Sequence, residues 1–441
     1  MRQGVLIGGV AAAALAGLLF GFDTAVIAGV TGDLRALFGL SPTTLGITVS
    51  SALWGTLLGA LTAGQIGDRF GSRNGLRLMA ILYLVSGLGC ALAWSWPSLL
   101  LFRFVAGIGI GGSSVLAPVY ISEIAPSRRR GTLVGLFQIN IVVGILVAYL
   151  SNFLVGTLDL GAMEWRVKLA VTALPAAFLW IMLRAVPHSP RWLAAKGRTQ
   201  EALDALKRIG AADPAGELAA IAASIAADRA AHGSKLSWRN HRKPILLAVG
   251  IAMFNQLSGI NAILYYLNDI FAAAGFAKVS ADLQAVAIGA TNLLFTVLAL
   301  LVIDRIGRKT LLLIGSVGTA LAQAAAAAIL ISGRHQGLLL FVLVGFIAAF
   351  AFSQGAVIWV YISEIFPTQV RARGQSLGSS THWLMNALIA GAFPFIASYS
   401  KGAPFAFFAA MMVLQFFVVL AFFPETKRVT LEEMDKTLTA G

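Results

Sequence analysis

The feature that most constrains this chain is a succession of long apolar runs. Twelve can be counted, near 5–30, 45–66, 76–95, 98–118, 132–154, 167–186, 244–271, 282–303, 311–332, 338–360, 376–398 and 403–423. A helix of about 20 residues crosses a hydrocarbon core of about 30 Å. Inside that core every backbone N–H and C=O must be bonded by protein, which leaves helices or closed barrels. Runs this continuous suit helices. Only 12% of the residues are charged, against about 25% in soluble domains. A soluble chain of 441 residues would lack the polar surface it needs. The first run could pass for a signal peptide. It continues to about Val30, however, and only Arg2 precedes it as a basic residue, so it is read as a retained helix.

The formal net charge is +14. Nucleic-acid binding is one account of a basic chain. It is set aside because the cations lie in short loops between apolar runs, not on one face. The N-terminus, the even-numbered loops and the C-terminus hold 26 of the 33 Lys and Arg residues. The odd loops and their flanks hold six (Arg35, Arg166, Lys168, Lys278, Arg334 and Lys401), and Arg103 lies inside a run. Basic loops stay in the cytoplasm, so both termini are expected there. The long polar segment carries Gln200–Ile209 and Pro214–Ala230, which read as short amphipathic helices on the cytoplasmic surface. The single Cys90 excludes an internal disulfide and reads as a small packing residue.

The two halves repeat each other. Residues 120–126 read YISEIAP and residues 361–367 read YISEIFP. Asp68-Arg69-Phe70-Gly71-Ser72-Arg73 matches Asp304-Arg305-Ile306-Gly307-Arg308-Lys309. PHSPR at 187–191 faintly echoes PETKR at 424–428. Three pairs in order, at offsets of 236 to 241, argue for a duplicated six-helix unit. Many secondary transporters are built from such repeats, with the substrate site at the midplane between them.

Charged groups recur with the repeat. Asp68, Arg69 and Arg73 sit in one tight turn, and Asp304, Arg305 and Arg308 in the other. Glu123 and Arg130 are seven residues apart, as are Glu364 and Arg371. Opposite charges at helix ends can pair across helices and latch the cytoplasmic side closed. Such a latch is reversible, since exposed pairs are worth only about 0–1 kcal/mol. The competing account is plain loop charge without a gating role.

Three ionisable groups stand out inside the apolar runs: Asp23, Arg103 and His382. A charge in the membrane is costly and marks a functional candidate. Asp23 and Arg103 both lie in the outer half of their helices and can meet. An Asp beside Arg can alternate between ionised and protonated states as its surroundings change. The competing accounts are a static ion pair, and for His382 a hydrogen-bonded packing residue.

Uncharged polar groups are more numerous. Gln138 and Asn140 lie in the fifth run; Asn255, Gln256, Ser258 and Asn261 lie in the seventh, with Tyr265 and Tyr266 one turn on. Asn292, Asn386, Trp359 and Trp383 follow in the last five runs. Amides donate and accept, which suits hydroxyl groups, and an indole offers a flat face to the C–H side of a ring. A phosphate or carboxylate would call for several cations, and only Arg103 is at hand. Any one amide can instead be an interhelical hydrogen bond. There is no metal-ligand spacing, no nucleophile with a base and no phosphate loop, so no enzyme, cofactor or metal is expected.

At these residues the chain resembles the bacterial sugar porters of the major facilitator superfamily, over nearly its whole length. The resemblance rests on the Asp-Arg-x-Gly turns, Arg103, YISEIAP with Arg130 and Gly131, Gln138, PHSPR, QLSGINAILYY at 256–266, Trp359 with SEIFP, and PETK. It implies an all-α membrane protein: twelve helices in two pseudo-symmetric six-helix bundles, a short cytoplasmic helical domain, and alternating access. The boundaries expected are 1–186, 187–243, 244–424 and a tail of 425–441. Gln138, Gln256, Asn261, Asn292, Trp359 and Asn386 resemble the family's sugar-contacting residues. Phe20, Tyr265, Tyr266 and Trp383 would line or gate the cavity.

This sequence departs from the family at four places. Asn255 stands where a Gln pair is usual, His382 where Asn or Gln is, Ser72 where Arg is, and His188 where Glu is. Proton-coupled members resemble this chain in carrying Asp at the position of Asp23, and facilitative glucose carriers have Asn. Ile145 resembles the glucose carriers, where xylose-carrying members have Gln. The expectation is therefore proton symport of a neutral monosaccharide, a hexose such as glucose ahead of xylose. The partners would be sugar, protons and the lipid of a bacterial inner membrane, with no nucleic acid and the chain as a monomer. The alternatives are an uncoupled facilitator or exporter of the same fold, and a sugar sensor.

Overall fold

The computed structural model describes residues 2–125, 130–230, 236–367 and 370–427, together with 429 and 434. Among them there are helices and loops and no strand. In chain order the first helices are α1 (Arg2–Val26), α2 (Thr31–Phe38), α3 (Pro42–Phe70), α4 (Ser72–Ala91), α5 (Trp96–Ile124) and α6 (Arg130–Gly156). Next come α7 (Glu164–Ala170), α8 (Ala173–Ala185), α9 (Pro190–Ala195), α10 (Thr199–Ile209) and α11 (Pro214–Ala230). The rest are α12 (Trp238–Leu257), α13 (Ile260–Tyr265), α14 (Leu267–Ala273), α15 (Lys278–Ile306), α16 (Arg308–Ser332), α17 (Leu339–Phe352), α18 (Gln354–Ile365), α19 (Arg371–Tyr399) and α20 (Ala403–Phe422).

Among the described residues, eleven helical segments are long and apolar enough to cross a membrane. The twelfth expected span lies in α19, 29 residues long. It is more polar because it carries Arg371, Arg373, His382 and Asn386. The two amphipathic surface helices occur as α10 and α11. The short α2 was not foreseen.

The helices gather into two compact units. The first holds Met1–Thr24, Trp54–Ala148 and Arg166–Gly233; the second holds Ala25–Leu53, Tyr149–Trp165 and Ser234–Gly441. In the first unit glycines let backbones touch. A Cβ on Gly21 of α1 would lie 1.8 Å from the Ile141 carbonyl oxygen of α6, and one on Gly144 of α6 would lie 2.1 Å from the Leu18 oxygen. Gly55 of α3 and Gly111 of α5 approach Phe104 and Thr56 carbonyls in the same way, at 2.1 and 2.0 Å. Small residues at crossings are what bring helices together in lipid, where no hydrophobic force does so.

Two expected spans are broken in the second unit. The run at 244–271 divides at Ser258–Gly259, where Gly259 has φ +82°. A side chain there would be strained and would strike the Phe408 ring at 2.3 Å. It divides again at Tyr266, φ −110° and ψ 20°. The run at 338–360 divides at Ser353, φ −126° and ψ −90°. Hydropathy averaged over a span does not register such breaks, because the few polar residues at them are flanked by long apolar stretches.

The repeat read from sequence recurs as geometry. Gly71 joins α3 to α4 with φ +82° and ψ 149°, and Gly307 joins α15 to α16 with φ +103° and ψ 157°. The Tyr120 hydroxyl donates to the Pro187 carbonyl at 2.8 Å, and the Tyr361 hydroxyl to the Pro424 carbonyl at 3.1 Å. Each YISEI tyrosine thus holds the proline of the motif that follows its own six-helix repeat.

Candidate functional site

Asp23 near the end of α1 and Arg103 in α5 form a buried pair within the first unit. They are 5% and 3% exposed, and one Arg103 Nη1 lies 3.2 Å from each Asp23 carboxylate oxygen. Arg103 Nε is buried without a partner. Removing either charge would strand the other, the costly way to break a buried pair. Protonating Asp23 would weaken the attraction while leaving its shape, so the pair has the chemistry of a proton-responsive element. The same unit holds Phe20 on α1, and Gln138 and Ile145 on α6. Gln138 and Ile145 are two turns apart and so share a face.

The amide cluster lies in the second unit, at the first break of α12–α13. Gln256 Nε2 donates to Asn255 Oδ1 at 3.2 Å and lies 3.2 and 3.3 Å from the two His382 ring nitrogens. Gln256 Oε1 accepts from Asn261 Nδ2 at 3.1 Å. The His382 ring sits 5.1 Å from Trp359 and 5.2 Å from Trp383, edge-on to the latter. Trp359 is 36% exposed and offers its indole to open space. Asn386 Nδ2 donates to the Tyr265 hydroxyl at 3.0 Å, leaving its own Oδ1 buried and unpartnered. Tyr266 turns its hydroxyl to the Ala390 carbonyl and stacks on Phe393. Asn292 of α15 is buried but makes no bond within this cluster. Most of the polar groups singled out in the second repeat thus converge on one uncharged patch of amides and indoles.

The motif charges pair inside each unit. Arg308 makes a two-point bond to Glu364, Nε to Oε2 at 3.1 Å and Nη2 to Oε1 at 2.9 Å, and reaches Asp304 at 2.8 Å. Glu425 accepts from the backbone N–H groups of Arg308 and Lys309 at 2.9 and 3.0 Å, capping α16. In the first repeat Ser72 takes the place of Arg308, and its hydroxyl bonds Glu123 at 3.0 Å. Arg73 donates to the Val186 carbonyl at 3.0 Å and meets His188 Nε2 at 2.8 Å. Arg371 donates to the Phe366 carbonyl at 3.4 Å. Asp68, Arg69 and Arg305 are exposed. The side chain of Arg130 lies outside the described residues.

A second charged group was not foreseen. At the Lys278 end of α15, opposite its Asp304 end, Lys278 Nζ lies 2.9 and 3.0 Å from the Asp33 oxygens and 3.1 Å from Glu164 Oε1. Arg35 Nη2 bonds Asp269 Oδ1 at 2.8 Å. Burial acts to lower the Lys278 pKa, but Asp33 and Glu164 outweigh it and hold it above the ordinary lysine value. Sequence reasoning noted Arg35 and Lys278 only as leftover cations; the acids near them in the odd loops were the available signal.

A cavity of about 1440 Å³ opens in the first unit beside α1, α5, α6 and α8, under α10 and α11. Leu, Ile and Ala dominate its wall, with Ser122, Glu123, Asn140, Arg191 and Glu217 at its polar points. Gln138 faces away from it, being two residues from Asn140 on the same helix. An apolar wall without an amide cluster does not suit a polyol, so the candidate site is the amide–indole patch and not this cavity.

Residues 9–438 match the family described as "Sugar (and other) transporter". The chain belongs to that family; it is a transport protein of the major facilitator fold and not an enzyme. It is 38% identical over 432 residues to the arabinose–proton symporter of Bacillus subtilis, covering 96% of this chain and 93% of that one. It is 33% identical over 463 residues to the D-xylose–proton symporter of Escherichia coli, covering 96% and 94%. The partially occluded, inward-open structure of the xylose transporter XylE from E. coli superposes with a TM-score of 0.86 at 32% identity, over 97% of this chain and all of that one.

Proposed function

We propose that this protein moves a neutral monosaccharide across the membrane together with a proton, by alternating access between its two six-helix repeats. The observation that carries the reading is the patch of Gln256, Asn261, Asn386, Trp359 and His382, which is polar, aromatic and uncharged. Hydroxyl groups can both donate to and accept from it, and a sugar ring can lie on Trp359. Asp23 is the proton carrier and Arg103 its partner; the names of the two similar symporters support coupling.

The sugar is a pentose or a hexose. Ile145 speaks for a hexose such as glucose, and the similar arabinose and xylose symporters speak for a pentose. Both termini and residues 187–243 face the cytoplasm, on the strength of the loop charges, and the protein works as a monomer in a bacterial inner membrane. A cysteine at Ala212 in a Cys90→Ser background is expected to resist an impermeant thiol reagent in intact cells; labelling would reverse the orientation.

Proteoliposomes test the function. With an inward proton gradient, labelled L-arabinose, D-xylose or D-glucose is expected to accumulate above its outside concentration; without the gradient it should only equilibrate. Equal uptake under both conditions would make the protein a facilitator. No uptake of any neutral sugar would remove the substrate class.

A further inference from the structure

The first break in the run at 244–271 turns on Ser258. Its hydroxyl donates to the Asn255 carbonyl at 2.6 Å and accepts from the Ile260 N–H at 3.3 Å, so it ties the end of α12 to the start of α13. The Gln256 and Asn261 amides stand on either side of it and bond each other across the break at 3.1 Å. The Ser258 carbonyl takes no backbone N–H among the described residues. Gln323 Nε2, from α16, donates to it instead, at 2.7 Å. Both residues are buried, Ser258 fully and Gln323 at 1% exposure. A carbonyl can only accept, so the Gln323 amide has one orientation here. That is also the one hydrogen bond the Gln323 side chain makes among the described residues, and its Oε1 is buried without a partner. The helix that carries it, α16, runs unbroken from Arg308 to Ser332. It receives the other break as well: a Cβ on its Gly315 would lie 1.8 Å from Ser353 Oγ.

We propose that Gln323 is a positioning residue: it anchors the α12–α13 break to the unbroken α16 and so fixes the spacing at which Gln256 and Asn261 present their amides to the sugar. This rests on the reading of those two amides as sugar-contacting residues; Gln323 bonds neither of them and acts through the Ser258 backbone. A buried carbonyl left without a donor is costly. Without Gln323 the turn at Ser258 and Gly259 would shift toward another donor, and the two amides that flank it would move with it. The competing account is an interhelical hydrogen bond that only holds α12 and α16 together. That account lowers the amount of folded carrier and leaves the sugar affinity of the folded carrier as it was.

Sugar–sugar exchange in proteoliposomes separates the two. The probe is whichever of labelled L-arabinose, D-xylose and D-glucose the parent protein exchanges, with half-saturating concentration and maximal rate both measured. Gln323→Met keeps the length of the side chain and removes the donor. Gln323→Asn keeps the amide but is one methylene too short to reach Ser258. Each is expected to raise the half-saturating concentration about tenfold while keeping the maximal rate per folded molecule. Gln256→Ala is measured beside them. If the parent exchanges none of the sugars, or if Gln256→Ala leaves the half-saturating concentration unchanged, the site reading fails and the positioning role with it. If Gln256→Ala raises it and either Gln323 variant does not, or lowers only the maximal rate, the positioning role alone is overturned. The two Gln323 variants are independent, so if one does not fold the other decides.

Discussion

Arg103 holds both carboxylate oxygens of Asp23 through a single nitrogen, 3.2 Å from each, with neither residue more than 5% exposed. A rearrangement that loosens the pair would let Asp23 take up a proton, and its return would release it. Asp23→Asn imitates the protonated side chain and cannot release anything. It is expected to lose accumulation driven by a proton gradient while keeping sugar binding and sugar–sugar exchange. Proteoliposomes containing the variant check this. Uphill uptake surviving in Asp23→Asn would make the pair structural.

Gly21 sets the spacing of α1 and α6, and with it the placement of Asp23 two residues on. A methyl group at Gly21 would fall 1.8 Å from a backbone oxygen, which cannot rotate away. Gly21→Ala should cost about 1–3 kcal/mol through forced separation of the helices. Gly135→Ala, on the same α6 but with open space around its Cβ, should be neutral. Thermal unfolding in detergent compares them, and equal melting temperatures would mean the crossing relaxes freely.

The spans, the repeat and the motif turns were legible in sequence because each is written locally. Twenty apolar residues in a row, or an Asp-Arg-x-Gly turn, mean the same thing wherever they occur. The breaks at Ser258 and Ser353 were not read from the sequence: each lies in a short polar, glycine-containing stretch (NQLSGIN at 255–261, SQG at 353–355) inside a longer apolar run, and the polar side chains there were read only as candidate ligands. Nor was the pairing of Arg35 with Asp269, 234 residues apart, because nothing near either residue names its partner. The amides of 255–261 stood out as a group, but which of them donate depends on the Gln354 carbonyl, 99 positions from Asn255. His382 was read as packing or function; its ring packs beside Trp359 and Trp383 and lies against the Gln256 amide.

The cluster of Lys278, Asp33, Glu164, Arg35 and Asp269 ties chain segments from both repeats into the second unit. Exposed pairs contribute about 0–1 kcal/mol each, so together they bias an equilibrium without locking it. Lys278→Ala combined with Arg35→Ala should favour opening at that end. A cysteine placed at the fully buried Ala390, in a Cys90→Ser background, is expected to react several-fold faster with a thiol reagent supplied from that side. High salt should produce part of the same effect in the parent protein. An unchanged labelling rate would reduce the cluster to surface charge.

His188 replaces a family glutamate with a group that titrates. Its ring stacks on Trp192 at 5.1 Å, and its Nε2 lies 2.8 Å from Arg73 Nη2. An arginine can only donate, so Nε2 must be unprotonated and the ring neutral. Burial first, then the Arg73 charge, hold the His188 pKa down to about 4. In the unfolded chain it returns to about 6.5. Above that value the ring is neutral in both states and stability does not depend on it. As pH falls below about 6.5 the unfolded chain takes a proton that the native ring refuses, so stability declines until the native ring also titrates near 4. His188→Gln keeps an acceptor for Arg73 and has nothing to titrate. Its melting temperature in detergent should therefore fall less between pH 7 and pH 4.5 than that of the parent protein. Parallel declines in the two proteins would show that His188 is solvated in the native state and that its bond to Arg73 does not hold it neutral.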